Sequence, residues 1–144
     1  MSKRKICVVV TARPSYSRIR SALEAIKANP NLELQLVVAA SALLDRYGNA
    51  VQSIERDGFE IAARVYMVVE GENLVTSAKS TGLGLVELAT VFDNLKPDAV
   101  VTIASAFALK KWTSFLASSD VIHLLSPLAS AVRPSRLIAS LIVI

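Results

Sequence analysis

The chain has 144 residues, 53% hydrophobic and 19% charged, which excludes a disordered protein and leaves room for one globular domain with a real core. Its formal net charge of +4 falls mostly on residues 105–144, where four basic residues face one acidic residue, while residues 1–104 carry 12 against 11. No motif for binding RNA or DNA accompanies that excess, and no run of about 18 apolar residues is present to span a membrane, so neither a nucleic acid nor a membrane is expected as a partner.

Lys3, Arg4 and Lys5 form a basic cluster read as the solvated start of a strand. Together with ICVVVTA the cluster mimics a signal peptide. The apolar run stops at Arg13, however, and leads into a helix pattern rather than a cleavage site of small residues. Residues 6–10 are an apolar run of strand length, as a central parallel strand covered on both faces requires. It contains Cys7, the single cysteine, so no intramolecular disulfide can form; a buried thiol in a reducing cytoplasm is expected. Ile19, Leu23 and Ile26 fall at helical spacing with Ala22 beside them, and Pro30 in NPN ends that helix. Residues 34–40 repeat the buried-strand pattern. Two short helical stretches follow, ALLDRY and AVQSIERD, separated by Gly48, with Gly58 closing the second. Residues 61–69 read as a third strand, residues 73–95 as a long helix with Leu85, Leu88, Ala89 and Phe92 as its core stripe, and residues 99–104 as a fourth strand.

Strands alternating with helices at this spacing predict an α/β fold, a Rossmann-like parallel sheet with flanking helices over residues 1–104. Residues 105–144 hold eight serines and no clear period, and their structure is left open. In a sheet of this kind ligands bind beyond the carboxyl ends of the strands, here residues 11–17, 40–44 and those just after 104.

The first of these turns has no glycine and offers Arg13, Pro14, Ser15, Tyr16 and Ser17 instead. Pro14 suits the first helical position, and the free amides and dipole of a helix start favour an anion. The Arg13 guanidinium and the Ser17 hydroxyl could add donors to a phosphate. The competing reading is a plain helix start, capped by Ser15 or Ser17 with Arg13 in solvent. Elsewhere, the two glycines of STGLGLVEL sit inside a helical pattern and read as helix packing rather than a dinucleotide fingerprint. His123 stands alone in an apolar run, no metal-binding spacing occurs, and Glu70 and Glu72 read as the polar start of the long helix. No metal and no cofactor are expected.

The segments VVVTARPSYSRIRSAL, SALLDRYGN and STGLGLVELATVFDNLKPDAVVTIA together resemble the N-terminal part of the hydrolysing UDP-N-acetylglucosamine 2-epimerases. The similarity is to the branch that makes N-acetylmannosamine or related sugars for sialic-acid-like nonulosonates, and it covers about residues 5–104. The resemblance implies the first of two Rossmann-like domains of glycosyltransferase-B type, with UDP held in the cleft between them. It implies UDP or phosphate contacts for Arg13 and Ser17, with Arg18 at a position that is often basic, and hence a UDP-sugar as partner. The implied chemistry is proton removal at sugar C2 with loss of UDP, then addition of water and reprotonation on the opposite face, which needs carboxylates near C2 and cations for the leaving diphosphate.

Relatives in this branch continue the fourth strand with an Asp-Arg pair, where this chain has Ser105 and Ala106, and Asp120 is its sole later acid. No catalytic residue is therefore assigned. The expectation is an N-terminal fragment of a UDP-N-acetylglucosamine 2-epimerase with little or no activity alone, since losing even one electrostatic donor costs about 10²–10³ in rate. An abrupt loss of similarity into a serine-rich segment is what a frame change or truncation produces, and the downstream nucleotide sequence tests that. The alternative is a small non-catalytic nucleotide-binding or interaction module whose last forty residues cover the sheet or make a homo-oligomer; a flavodoxin-like enzyme has fold-level support alone.

Overall fold

The computed structural model describes residues 3–102. Four strands form one parallel sheet: β1 (Arg4–Val10), β2 (Leu32–Ala39), β3 (Ile61–Val65) and β4 (Ala99–Thr102), in the order β3-β2-β1-β4. Between them run α1 (Arg13–Ala28), α2 (Ala50–Arg56) and α3 (Leu74–Leu95), which makes the Rossmann-like α/β sheet that the alternation predicts. Residues 105–144, with Ser105, Ala106, Asp120 and His123, lie outside the described residues.

The pleat of the two central strands divides the core. Val8, Val10, Leu36 and Val38 point to one face, where Tyr16, Ile19 and Leu23 of α1 and Ile54 of α2 cover them. Cys7, Val9, Val37 and Ala39 point to the other, where Leu88, Val91, Phe92 and Leu95 of α3 pack. Both faces are covered over residues 7–10 of β1 and 36–39 of β2, which is why those runs are apolar without alternation, whereas the first half of β2 alternates Leu32, Leu34 and Leu36 with Glu33 and Gln35. The helices change face between β3 and β4, so the strand order reverses between β1 and β4. In an open sheet that reversal opens a crevice at the carboxyl ends.

Several boundaries differ from the sequence pattern. The third strand ends at Val65 rather than residue 69, because the next residues leave the sheet and Tyr66 is 71% exposed. ALLDRY is not an α-helix: two 3₁₀ turns, Ala40–Leu43 and Asp45–Tyr47, flank an extended Leu44. Leu85 and Ala89 are exposed on α3, and the packed stripe runs instead through Leu88, Val91, Phe92 and Leu95. Gly84 sets that phase, for it is buried with the Met67 side chain lying where a Cβ would project, whereas Gly82 meets nothing. Glu70 and Glu72 precede the helix, whose first turn is closed by a capping box between Asn73 and Thr76.

Cys7 is fully buried, and burial pushes its thiol up to about 11 from an ordinary 9.0. Above pH 9 the unfolded chain releases this proton while the folded chain keeps it. Stability should therefore fall with rising pH, approaching about 1.4 kcal/mol per unit between these two values and about 2 kcal/mol in all by pH 11, where the folded thiol begins to ionise as well. Urea midpoints at pH 8 and 10.5 check this: the fall should be distinctly smaller in Cys7→Ala, and equal falls in both proteins contradict the burial effect.

Candidate anion site at the carboxyl edge

Helix α1 begins directly at Arg13, with Ala12 as its N-cap and no side chain capping it. Pro14 occupies the second helical position rather than the first, and it brings no donor. The first backbone bond onto the cap runs from the Tyr16 amide to the Ala12 carbonyl at 3.2 Å, so helix geometry leaves the amides of Arg13 and Ser15 without a carbonyl partner in the helix. Neither serine caps the start. Ser17 Oγ donates to the Arg13 carbonyl at 3.4 Å, and Ser15 Oγ is buried with no partner among the described residues.

The loop after β2 is fastened to this turn. The Thr11 carbonyl accepts both the Ala42 amide at 3.1 Å and Ser41 Oγ at 2.9 Å. Ala40 takes a left-handed φ of 53°, a strained choice for a residue with a side chain, and Gly48 follows with φ 89°. Gly48 has a second constraint: a Cβ there would stand 2.7 Å from Arg13 Nη1 and 3.1 Å from its Cδ. The arginine stem and guanidinium thus lie against the bare backbone of the loop after β2, on the α2 side of the carboxyl edge. Exposed contacts tie this loop to the segment before α3, with Arg46 Nη1 2.8 Å from Glu70 Oε1 and Tyr47 OH 3.4 Å from Glu72 Oε1.

Arg13 and Ser17 open into one hollow of about 250 Å³ between α1 and α2. Its walls are Arg13, Tyr16, Ser17 and Arg20, at i, i+3, i+4 and i+7 of one face of α1, and Ser53, Arg56 and Asp57 from α2 and its end. Asp57 Oδ2 is engaged within the wall: Tyr16 OH donates to it at 2.6 Å and Arg20 Nη1 lies 3.4 Å away. Burial first, and the bond to Asp57 second, push the Tyr16 phenol well above its ordinary range, so it stays a donor. Arg20 is also held by Glu24 at 3.1 Å. Arg13 and Arg56 have no carboxylate partner within salt-bridge distance among the described residues.

Arg18, also read from sequence as a phosphate residue, is exposed but does not line the hollow, since it projects about 100° round the helix from Ser17. The residues that sequence reasoning missed are Gly48, Ser53 and Arg56. The helical spacing of Arg13, Tyr16, Ser17 and Arg20 was a usable signal for the α1 wall; the α2 wall needed the packing of two helices. No group of three or more His, Cys, Asp or Glu that could hold a metal ion occurs among the described residues, nor a helix long and apolar enough to cross a membrane.

No protein-family profile matches the chain. In sequence it is 28% identical over 109 residues to the GDP/UDP-N,N'-diacetylbacillosamine 2-epimerase (hydrolyzing) of Campylobacter jejuni, covering 76% of this chain and 28% of that protein. It is 26% identical over 106 residues to the polysialic acid biosynthesis protein P7 of Escherichia coli, covering 74% and 27%. The chain therefore spans little more than a quarter of the length of the curated relatives it matches. Among solved structures, a UDP-N-acetylglucosamine 2-epimerase superposes with a TM-score of 0.62 at 21% identity over 75% of this chain and 27% of that one. The UDP-GlcNAc 2-epimerase of Neisseria meningitidis bound to UDP-GlcNAc gives 0.59 at 13% over 74% and 27%. Over about three quarters of its length, this chain is thus similar in sequence to a hydrolysing nucleotide-sugar 2-epimerase and has the fold of part of the UDP-N-acetylglucosamine 2-epimerases.

Proposed function

We propose that the turn after β1 binds the diphosphate of a UDP-N-acetyl sugar, as the nucleotide-sugar-holding N-terminal part of a hydrolysing 2-epimerase serving nonulosonate synthesis in the cytoplasm. The observation that carries this reading is the α1 start: a helix N-terminus with no side-chain cap and an exposed arginine without a carboxylate partner among the described residues, placed at the carboxyl edge. A solved neighbour with this fold is bound to UDP-GlcNAc, which supports the choice of ligand. In the reaction such a turn would stabilise the charge that develops on departing UDP, a contribution made by cations and amides already in place. Arg13 and Ser17 are proposed to contact the diphosphate, and Arg18, on the adjacent exposed face of α1, to add positive potential to its approach.

Calorimetric titration with UDP and with uridine tests the proposal. UDP should bind saturably and uridine at least an order of magnitude more weakly, because the contacts are to phosphate. Arg13→Gln should weaken UDP binding about 10- to 100-fold, the range for hydrogen bonds to a charged group. Equal affinities for UDP and uridine, or an unchanged Arg13→Gln protein, contradict it.

A further inference from the structure

The hollow between α1 and α2 holds more cationic chemistry than the turn alone explains. Among the described residues, three arginines, Arg13, Arg20 and Arg56, line it beside one acid, Asp57; that carboxylate is already engaged by Tyr16 and Arg20, which leaves Arg13 and Arg56 without a carboxylate. Two serines, Ser17 from α1 and Ser53 from α2, complete the wall. Unpartnered arginines that share a concave surface repel one another, so their convergence is favourable when an anion lies between them. At about 250 Å³ the hollow falls below the roughly 300–1,000 Å³ of pockets that enclose whole drug-sized ligands, and it suits a diphosphate group rather than an entire nucleotide sugar.

We infer that Arg56 and Ser53 of α2 are the far half of the diphosphate grip, so that the anion lies in the α1–α2 hollow between Arg13 and Arg56. This rests on the reading of Arg13 given above and adds to it a wall that the turn does not supply. Gly48 serves the same arrangement as a positioning residue, because its missing side chain is what lets the Arg13 stem lie toward α2. The specificity that follows is for two linked phosphates, because the hollow draws Arg13 from its α1 wall and Arg56 from its α2 wall, and a diphosphate offers a separate phosphate to each.

Inorganic pyrophosphate and UDP, titrated separately into the 144-residue chain and followed through arginine Nε–Hε NMR resonances, test this. The Arg13 and Arg56 resonances should shift together and saturably with both ligands, while Arg64, which pairs with Glu55 and does not line the hollow, should not move. Arg56→Gln should weaken pyrophosphate and UDP alike by about tenfold or more, Arg56→Lys should recover part of the loss, and Arg64→Gln should bind as the parent does. Loss of affinity in Arg13→Gln but not in Arg56→Gln overturns the inference and leaves the proposed function standing. An equal loss in Arg64→Gln shows general charge attraction and overturns the inference. Absence of saturable binding by the parent chain overturns both.

Discussion

Leu36→Ala is expected to lower the stability of the chain by about 2–5 kcal/mol, the range for deleting a fully buried leucine and leaving a cavity. Leu36 has no exposed surface, sits on central strand β2 beside Val8 in register, and belongs to the cluster that α1 and α2 cover. Against the about 5–15 kcal/mol that holds a domain together, such a loss is large enough to read directly from a urea midpoint. The same variant bears on function, because β1 and β2 carry the two loops that meet at the Thr11 carbonyl. A midpoint shift worth less than about 1 kcal/mol contradicts the packing described here.

Gly48→Ala and Gly58→Ala should separate backbone strain from placement of Arg13. Both glycines have positive φ, 89° and 78°, so a side chain at either costs about 1–2 kcal/mol of stability. The surroundings differ. A Cβ at Gly48 meets Arg13 Nη1 at 2.7 Å, whereas at Gly58 the nearest atom is Lys27 Nζ at 3.9 Å. The guanidinium is the mobile end of its side chain and can swing away, but the Cδ contact at 3.1 Å requires the stem to move as well. UDP affinity should therefore fall in Gly48→Ala toward that of Arg13→Gln, while Gly58→Ala, similarly strained, should bind as the parent does. Equal affinities in the two glycine variants would mean that the loop after β2 does not position the arginine.

The sheet is legible because residues 7–10 of β1 and 36–39 of β2 are covered on both faces, which leaves two short, unbroken apolar runs that few other environments need. The sequence misleads where apolar residues are not buried. Tyr66 and Val68 continue the third strand's pattern but face solvent, and hydrophobicity alone does not report pairing. On α3, Leu85 and Ala89 fit a stripe on paper, yet the close approach of Gly84 to Met67 turns the helix so that Leu88, Val91, Phe92 and Leu95 meet the sheet.

The site divides in the same way. Arg13 could be picked out because an arginine at a strand-to-helix turn is an unusual choice with an evident chemical use. Ser53 and Arg56 could not, since nothing in the AVQSIERD stretch shows which neighbour its polar face will meet. In the sequence Gly48 marks a break between helical stretches, and its contact with Arg13 emerges where the loops after β1 and β2 are fastened together.

A structure of the chain with UDP bound tests the central claim most directly. The account predicts the diphosphate within hydrogen-bond distance of the Arg13 guanidinium and of the amides that begin α1. Phosphates bound elsewhere on the chain, with Arg13 still lying against Gly48 and touching no ligand, would contradict it.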